Sequence, residues 1–281
     1  IIIAGDTTDK GKIKNYMLFN KLYNSVYNDR NKPVFISLMG NHDYNDPKLT
    51  ETQSQINFLH YIKAYPNSHY IINNYNFIIW SNDNNDGNEL AIKDFSWIKL
   101  TIEEARKNRY KEGDPIFVVT HIPPKNTVYG SESIWGSQAI FNVLKDYPEV
   151  ICISGHSHYS LKNIKSIWQK EFTVINTQSI SYVDLDSIYQ NAMDIRLTSD
   201  KNDSMGLIAH LSKENIIFDR IEFVTEEIME EKWKIDFPIN ISNFEYTFEK
   251  RNKKIKPFFS DKSEIKVLKE VVNDESIFYI E

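Results

Sequence analysis

Cysteine is nearly absent. Cys152 is the single thiol in 281 residues, so an internal disulfide is ruled out. It sits inside the apolar run Val150–Ile153, which makes it a core residue rather than a reactive one. A reducing compartment fits this composition, but so does secretion, and the sequence leaves the compartment open. No apolar run reaches the ~20 residues needed to cross a bilayer, and no secretory leader is visible at the start. An excess of positive charge is missing as well. The 33 Lys and Arg face 39 Asp and Glu, for a net charge of −6. Such a balance gives no global field to gather long nucleic acid or an anionic membrane. Internal repeats and low-complexity tracts are also lacking. What remains is 41 % apolar and 26 % charged, enough for one large domain, or one domain with an appendage.

The chain opens on "IIIAGD", inside a buried-strand pattern and without a methionine, and closes on "ESIFYIE", inside another. Further sequence is therefore expected at both ends. Between them, short apolar runs alternate with stretches of helical spacing. Strands are expected at Ile1–Ala4, Val34–Leu38, Ile116–Thr120 and Val150–Ile153. Tyr70–Ile72 and Asn76–Trp80 flank an Asn-rich turn and predict a hairpin. Helices are expected at Lys12–Tyr27, Thr50–Ile62, Asp94–Arg106 and Ser133–Leu144, with Ile56, Leu59 and Ile62 on one side of the second. Ser81–Asn88 reads as a polar loop. After Gly155 the helical signal fades, and Phe172–Ile175, Leu207–Leu211 and Ile216–Val224 read as strands. The alternation predicts a layered α/β fold over residues 1–235, and residues 236–281 predict a β-rich extension or the start of a small β domain.

Each chemistry-bearing motif lies just past the C-terminal end of an expected strand, the edge where layered α/β folds build ligand sites. Ile1–Ala4 runs into Gly5-Asp6-Thr7-Thr8-Asp9. Val34–Leu38 runs into Gly40-Asn41-His42-Asp43. Ile116–Thr120 ends at His121, and Val150–Ile153 leads to Gly155-His156-Ser157-His158. Carboxylate, amide and imidazole together suit a hard-to-borderline divalent ion. With no thiolate in the set, a cysteine-type structural zinc site is excluded. Gly5, Gly40 and Gly155 each precede a candidate ligand, where a residue without Cβ permits a sharp turn and a close approach.

"GDTTD", "GNHD", a lone histidine after an apolar strand and "GHSH", in this order over residues 5–158, resemble the calcineurin-like metallophosphoesterase superfamily. The resemblance implies a four-layer α-β-β-α sandwich of two mixed sheets flanked by helices. It also implies a site for two divalent transition-metal ions, with Mn, Fe and Zn all suited. Asp6 would bridge the ions. Asn41, His121 and His156 would complete one position and His158 would serve the other. The family's D-x-H block, which would finish the second position, is expected upstream of Ile1. His42 would protonate or stabilise the leaving oxygen, with Asp9 orienting it. The implied reaction is hydrolysis of a small phosphomonoester or phosphodiester, a nucleotide or cyclic nucleotide being favoured, by attack of a metal-bridged hydroxide.

Plainer roles compete. Asp9 and Asp43 could be helix N-caps, and Asp43 could be a hydrogen-bond partner behind the site. His60, His69 and His210 match no motif and are expected in packing or at the surface. Asn126, Tyr129, Glu132 and Trp135 follow His121 in a loop that could shape substrate preference, with Trp135 or Tyr129 stacking a base, or could simply pack. The basic run Lys250–Lys256 reads as a solvated loop. Two alternatives to a small-molecule hydrolase stand: a non-catalytic scaffold on the same fold, and a nuclease of the same superfamily. The absence of a basic stripe argues against the latter.

Overall fold

The structure is a computed structural model. It describes residues 1–27, 30–84, 95–109, 111–132, 135–184, 199–200, 204–254, 267–272 and 275–280. In chain order the elements are β1 (Ile2–Ile3), α1 (Ile13–Val26), β2 (Ile36–Ser37), α2 (Glu51–Ile62), β3 (Asn67–Ile72), β4 (Tyr75–Trp80), α3 (Phe95–Asn108), β5 (Ile116–Thr120), α4 (Gln138–Leu144), β6 (Val150–Ser154), β7 (Ile167–Gln169) and β8 (Thr173–Asn176). Then come β9 (Val183–Asp184), β10 (Ser199–Asp200), β11 (Met205–Leu211), β12 (Asn215–Glu222), β13 (Glu227–Ile228), β14 (Trp233–Asp236), α5 (Phe248–Lys254), β15 (Val267–Val272) and β16 (Glu275–Ile280).

The main sheet has the order β3-β4-β5-β6-β8-β7, parallel from β4 to β8 and antiparallel at both edges. β5 and β6 are buried along their whole length, which explains their unbroken apolar runs: covered on both faces, they have no polar side. One face carries Ile78, Val118, Cys152 and Val174 against Ile98 and Ile102 of α3 and Ile140 and Leu144 of α4. The other carries Ile79, Phe117, Val119 and Ile153 against a second β layer. That layer is mixed too. It contains the parallel pair β1–β2 and an antiparallel sheet in which β12 is bordered by β11 on one side and by β13 and β14 on the other. Outside it, Tyr16 of α1 and Phe58 and Ile62 of α2 pack with Met39 and Tyr44. The layers therefore run helix, sheet, sheet, helix, as expected. Each fully buried Ile or Phe in these interfaces contributes about 1.5–3 kcal/mol.

Local signals explain most boundaries. Thr50 closes a capping box on α2: its hydroxyl accepts from the Gln53 N–H at 3.2 Å, and Gln53 Oε1 accepts from the Thr50 N–H at 2.9 Å. The hairpin turn is Asn73-Asn74, both left-handed (φ 51° and 68°), as a two-residue turn that matches strand twist requires. The helix faces differ from expectation. α2 buries Ser54, Phe58 and Ile62, while Ile56 and Leu59 face solvent. Apolar residues lie on two sides of this helix, and the large Phe58 ring, edge-on to Tyr16 at 6.2 Å, determines which side packs. α4 begins at Gln138, later than expected, with Ser137 accepting from the Ile140 N–H; Ser133 and residue 134 lie outside the described residues. Residues 85–88 of the expected polar loop and Asp94 also lie outside them. The basic run from Lys250 is helical through Lys254 rather than a loop, and Arg251 is buried, donating to the Ile167 carbonyl at 2.7 Å. Contacts cross residue 236: the Gln169 N–H donates to the Tyr246 carbonyl, and Tyr246 joins the inter-sheet core.

Candidate metal centre

Parallel pairing brings the motifs together. Thr120 is registered with Ser154, so His121 and the Gly155–His158 turn leave neighbouring strands at one edge. Ile2 is registered with Ile36 and Ile3 with Ser37, so the Gly5–Asp9 and Gly40–Asp43 turns leave the second layer side by side. Stacking of the two layers closes the gap between the two pairs of turns. The approach is tight. A Cβ on Gly40 would overlap the Asp6 carboxylate, and one on Gly5, whose φ is 89°, would overlap the His121 ring. Asp6, His156 and His158 themselves adopt left-handed backbone, at φ 51°, 68° and 55°. Such conformations cost about 1–3 kcal/mol each and persist where the surroundings enforce them.

His121 is the centre of the arrangement and is almost fully buried. Its Nδ1 lies 2.8 Å from the Ala4 carbonyl oxygen. A carbonyl can only accept, so Nδ1 carries a proton. The other nitrogen, Nε2, faces Asn41 Oδ1 at 3.0 Å, Asp6 Oδ2 at 3.2 Å and His156 Nδ1 at 3.2 Å. A proton on Nε2 could serve only one of these atoms at a time. Ligand atoms about 2.1 Å from a divalent ion lie about 3.0–3.4 Å apart at octahedral or tetrahedral angles, which matches these separations. Asp6, His121 and His156 thus form a group able to hold a metal ion. Electrostatics call for the same positive charge. Burial pushes the Asp6 carboxyl up, yet its attraction to His121 prevails and brings it down to about 2. Burial likewise opposes charge on His121, and Asp6 raises it regardless.

His158 stands on the same turn. Its Nδ1 is buried with no hydrogen-bond partner among the described residues, a costly state for an imidazole nitrogen. Burial, then the neighbouring His121 charge, lowers it to about 4, so the ring is neutral near pH 7 and keeps a lone pair. The ring of Tyr182 packs on it at 4.3 Å, and the ring of Trp135 lies 6.3 Å from that of His156. On the opposite side, the His42 N–H donates to Asp6 Oδ1 at 2.8 Å. His42 Nδ1 donates to the Asp9 carbonyl at 3.0 Å and lies 3.3 Å from the Asp9 carboxylate. Asp9 caps no helix, since the residue before α1 is Lys12.

Asp43 is fully buried and ties the turns together. Its carboxylate accepts from the N–H groups of Thr7, Thr8 and Gly40 and from the Thr8 and Tyr16 hydroxyls at 3.0–3.3 Å. Burial and the Asp6 charge raise it to about 7 against these donors. The hydrogen-bond role therefore holds over the capping role. Thr8 and Tyr16 were not legible as part of this region, although a threonine in the turn and a tyrosine in the next helix are the available signals. The remaining histidines lie elsewhere: His60 stacks edge-on with Tyr61, His69 bonds Asn76 and His210 bonds Asp219.

The sequence model of one family, described as Calcineurin-like phosphoesterase, matches residues 1–160. The chain belongs to the calcineurin-like phosphoesterase family. Among solved structures, "GAP50 the anchor in the inner membrane complex of Plasmodium" is similar, at 15 % identity and a TM-score of 0.52, over 86 % of this chain and 81 % of that one. At this identity the likeness is one of fold. No curated protein matches the sequence significantly. All four motif turns of this calcineurin-like phosphoesterase fall within or at the end of the matched segment, and no helix among its described residues is long and apolar enough to cross a membrane.

Proposed function

We propose that this calcineurin-like phosphoesterase is a metal-dependent hydrolase of small phosphomonoesters or phosphodiesters, with a site for two divalent transition-metal ions. The observation that carries this reading is the crowding of three atoms of metal-ligating type, from Asn41, Asp6 and His156, within 3.0–3.2 Å of His121 Nε2. Asp6, Asn41, His121 and His156 would hold one ion. His158 would serve the second. When bound, such ions supply Lewis acidity and an acidified water.

The chain's own groups do the rest. The Ala4 carbonyl accepts from Nδ1 of His121, which leaves Nε2 as the nitrogen that would face an ion. Asp9 holds His42 through Nδ1, which leaves Nε2 to hand a proton to the leaving oxygen. The rings of Trp135 and Tyr182, beside His156 and His158, suit a nucleotide or cyclic nucleotide, whose base can stack. The net charge of −6 supports a small substrate over long nucleic acid.

The test combines elemental mass spectrometry on the purified chain with hydrolysis of p-nitrophenyl phosphate and bis-p-nitrophenyl phosphate in Mn(II). Bound metal with turnover of either ester supports the reading. Bound metal without turnover moves the chain to the scaffold alternative. No metal, even after Mn(II) is added, sinks the metal reading altogether.

A further inference from the structure

The turn that carries His156 and His158 is clamped by residues outside every recognised motif. Asn176, the last residue of β8, is fully buried and registered beside Ser154. Its Nδ2 donates to Ser157 Oγ at 2.6 Å, and its Oδ1 accepts from the Gln178 N–H at 2.9 Å. Ser157 is fully buried between the two histidines. At the far end of the turn, Gln178 Oε1 accepts from the Leu161 N–H at 2.7 Å. The Leu161 carbonyl accepts from Arg220 of β12 at 2.9 Å, so the second sheet joins the clamp.

We infer that Asn176 is a positioning residue for the metal centre, holding Ser157 so that His156 and His158 keep their left-handed backbone and converge on the ligand atoms. The inference rests on the metal reading above. The physical case is that the turn stores strain at both histidines. Strained residues relax unless something overdetermines them, and a short amide–hydroxyl hydrogen bond between two fully buried side chains does so. Losing it would leave the Ser157 oxygen buried without this partner and free the turn to move by tenths of an ångström. A shift of that size degrades a ligand set more than it degrades a fold.

The test is titration with Co(II), followed by visible absorption, on wild type, Asn176→Ala, Ser157→Ala and Gln169→Ala. Gln169 is the control: a buried amide in the same sheet, bonding Thr173 and the Glu245 and Tyr246 N–H groups away from the site. Asn176→Ala and Ser157→Ala are expected to weaken Co(II) binding about 10- to 100-fold and to change the ligand-field bands, the range typical of lost outer-shell partners. Combining them should add little, because both remove one bond. Gln169→Ala should bind Co(II) as wild type does, even if its melting temperature falls. Asn176→Asp, which can accept from the Ser157 hydroxyl, should recover part of the affinity. If wild type binds Co(II) and both alanine variants bind it equally well with unchanged bands, the positioning role is wrong while the metal reading stands. If wild type binds none, both are wrong.

Discussion

Two of the places where, among the described residues, a histidine faces an aspartate differ in kind, and one of the two has the makings of a reaction centre. At the strand ends, His121 Nε2 lies 3.2 Å from Asp6; on the second sheet, His210 Nε2 lies 2.9 Å from Asp219. The difference is in the surroundings. Asp219 also meets Lys232 Nζ at 2.8 Å, and His210 is 58 % exposed, so a cation and water complete the cluster. Around His121 the further neighbours are Asn41 Oδ1 and His156 Nδ1, two atoms of metal-ligating type, and the ring is buried. A histidine–carboxylate pair is common. Several buried ligand-type atoms crowded on one point are what suits a metal ion.

This contrast can be broken by experiment. The largest effect is expected for His121→Ala: metal affinity should fall by more than the ~100-fold typical of outer-shell losses, and turnover should fall to background. His210→Ala should change neither. Retention of metal by His121→Ala in elemental analysis would refute the assignment. Next, His42→Ala should slow hydrolysis about 10²- to 10⁴-fold while metal content stays at the wild-type level. Loss of metal together with activity would make His42 a ligand instead. A smaller effect is expected from chelation. Removing the ions should lower the melting temperature, and Mn(II) restored at about 100 times its Kd should return about 2.7 kcal/mol of stability. The His121→Ala chain should melt at the same temperature with and without chelator. The smallest effect is expected for Lys232→Met, which breaks the self-contained cluster. Metal content and turnover should match wild type, and calorimetry should show only a small change, because Lys232 is half exposed and His210 still faces the Asp219 carboxylate.

The frame was largely legible in the sequence. Ile116–Thr120 forms a strand with the expected bounds, and the strand expected at Val150–Ile153 gains only Ser154. Unbroken apolar runs bounded by motif residues leave little choice. The strand Ile167–Gln169 was missed because three residues carry no period, and the main sheet supplies its context. The packed face of α2 was missed because Ile56 and Leu59 are as apolar as the residues that pack. Within the site, the motif turns named Asp6, Asn41, His42, His121, His156 and His158. Nothing in a linear string ties Asn176 to Ser157 across 19 residues, or Arg220 to Leu161 across 59.

The sequence alone thus determined the order of strands and turns and the ligand types at each strand end, because spacing and residue chemistry are local properties. Tertiary structure decided which of those atoms face one another. The crowding at His121 Nε2 exists only where two β layers stack, and the buried bond from Asn176 that holds the His156–His158 turn exists only where β6 and β8 pair. The physical reason is that the crowding of ligand-type atoms and their burial are both products of elements far apart in the chain.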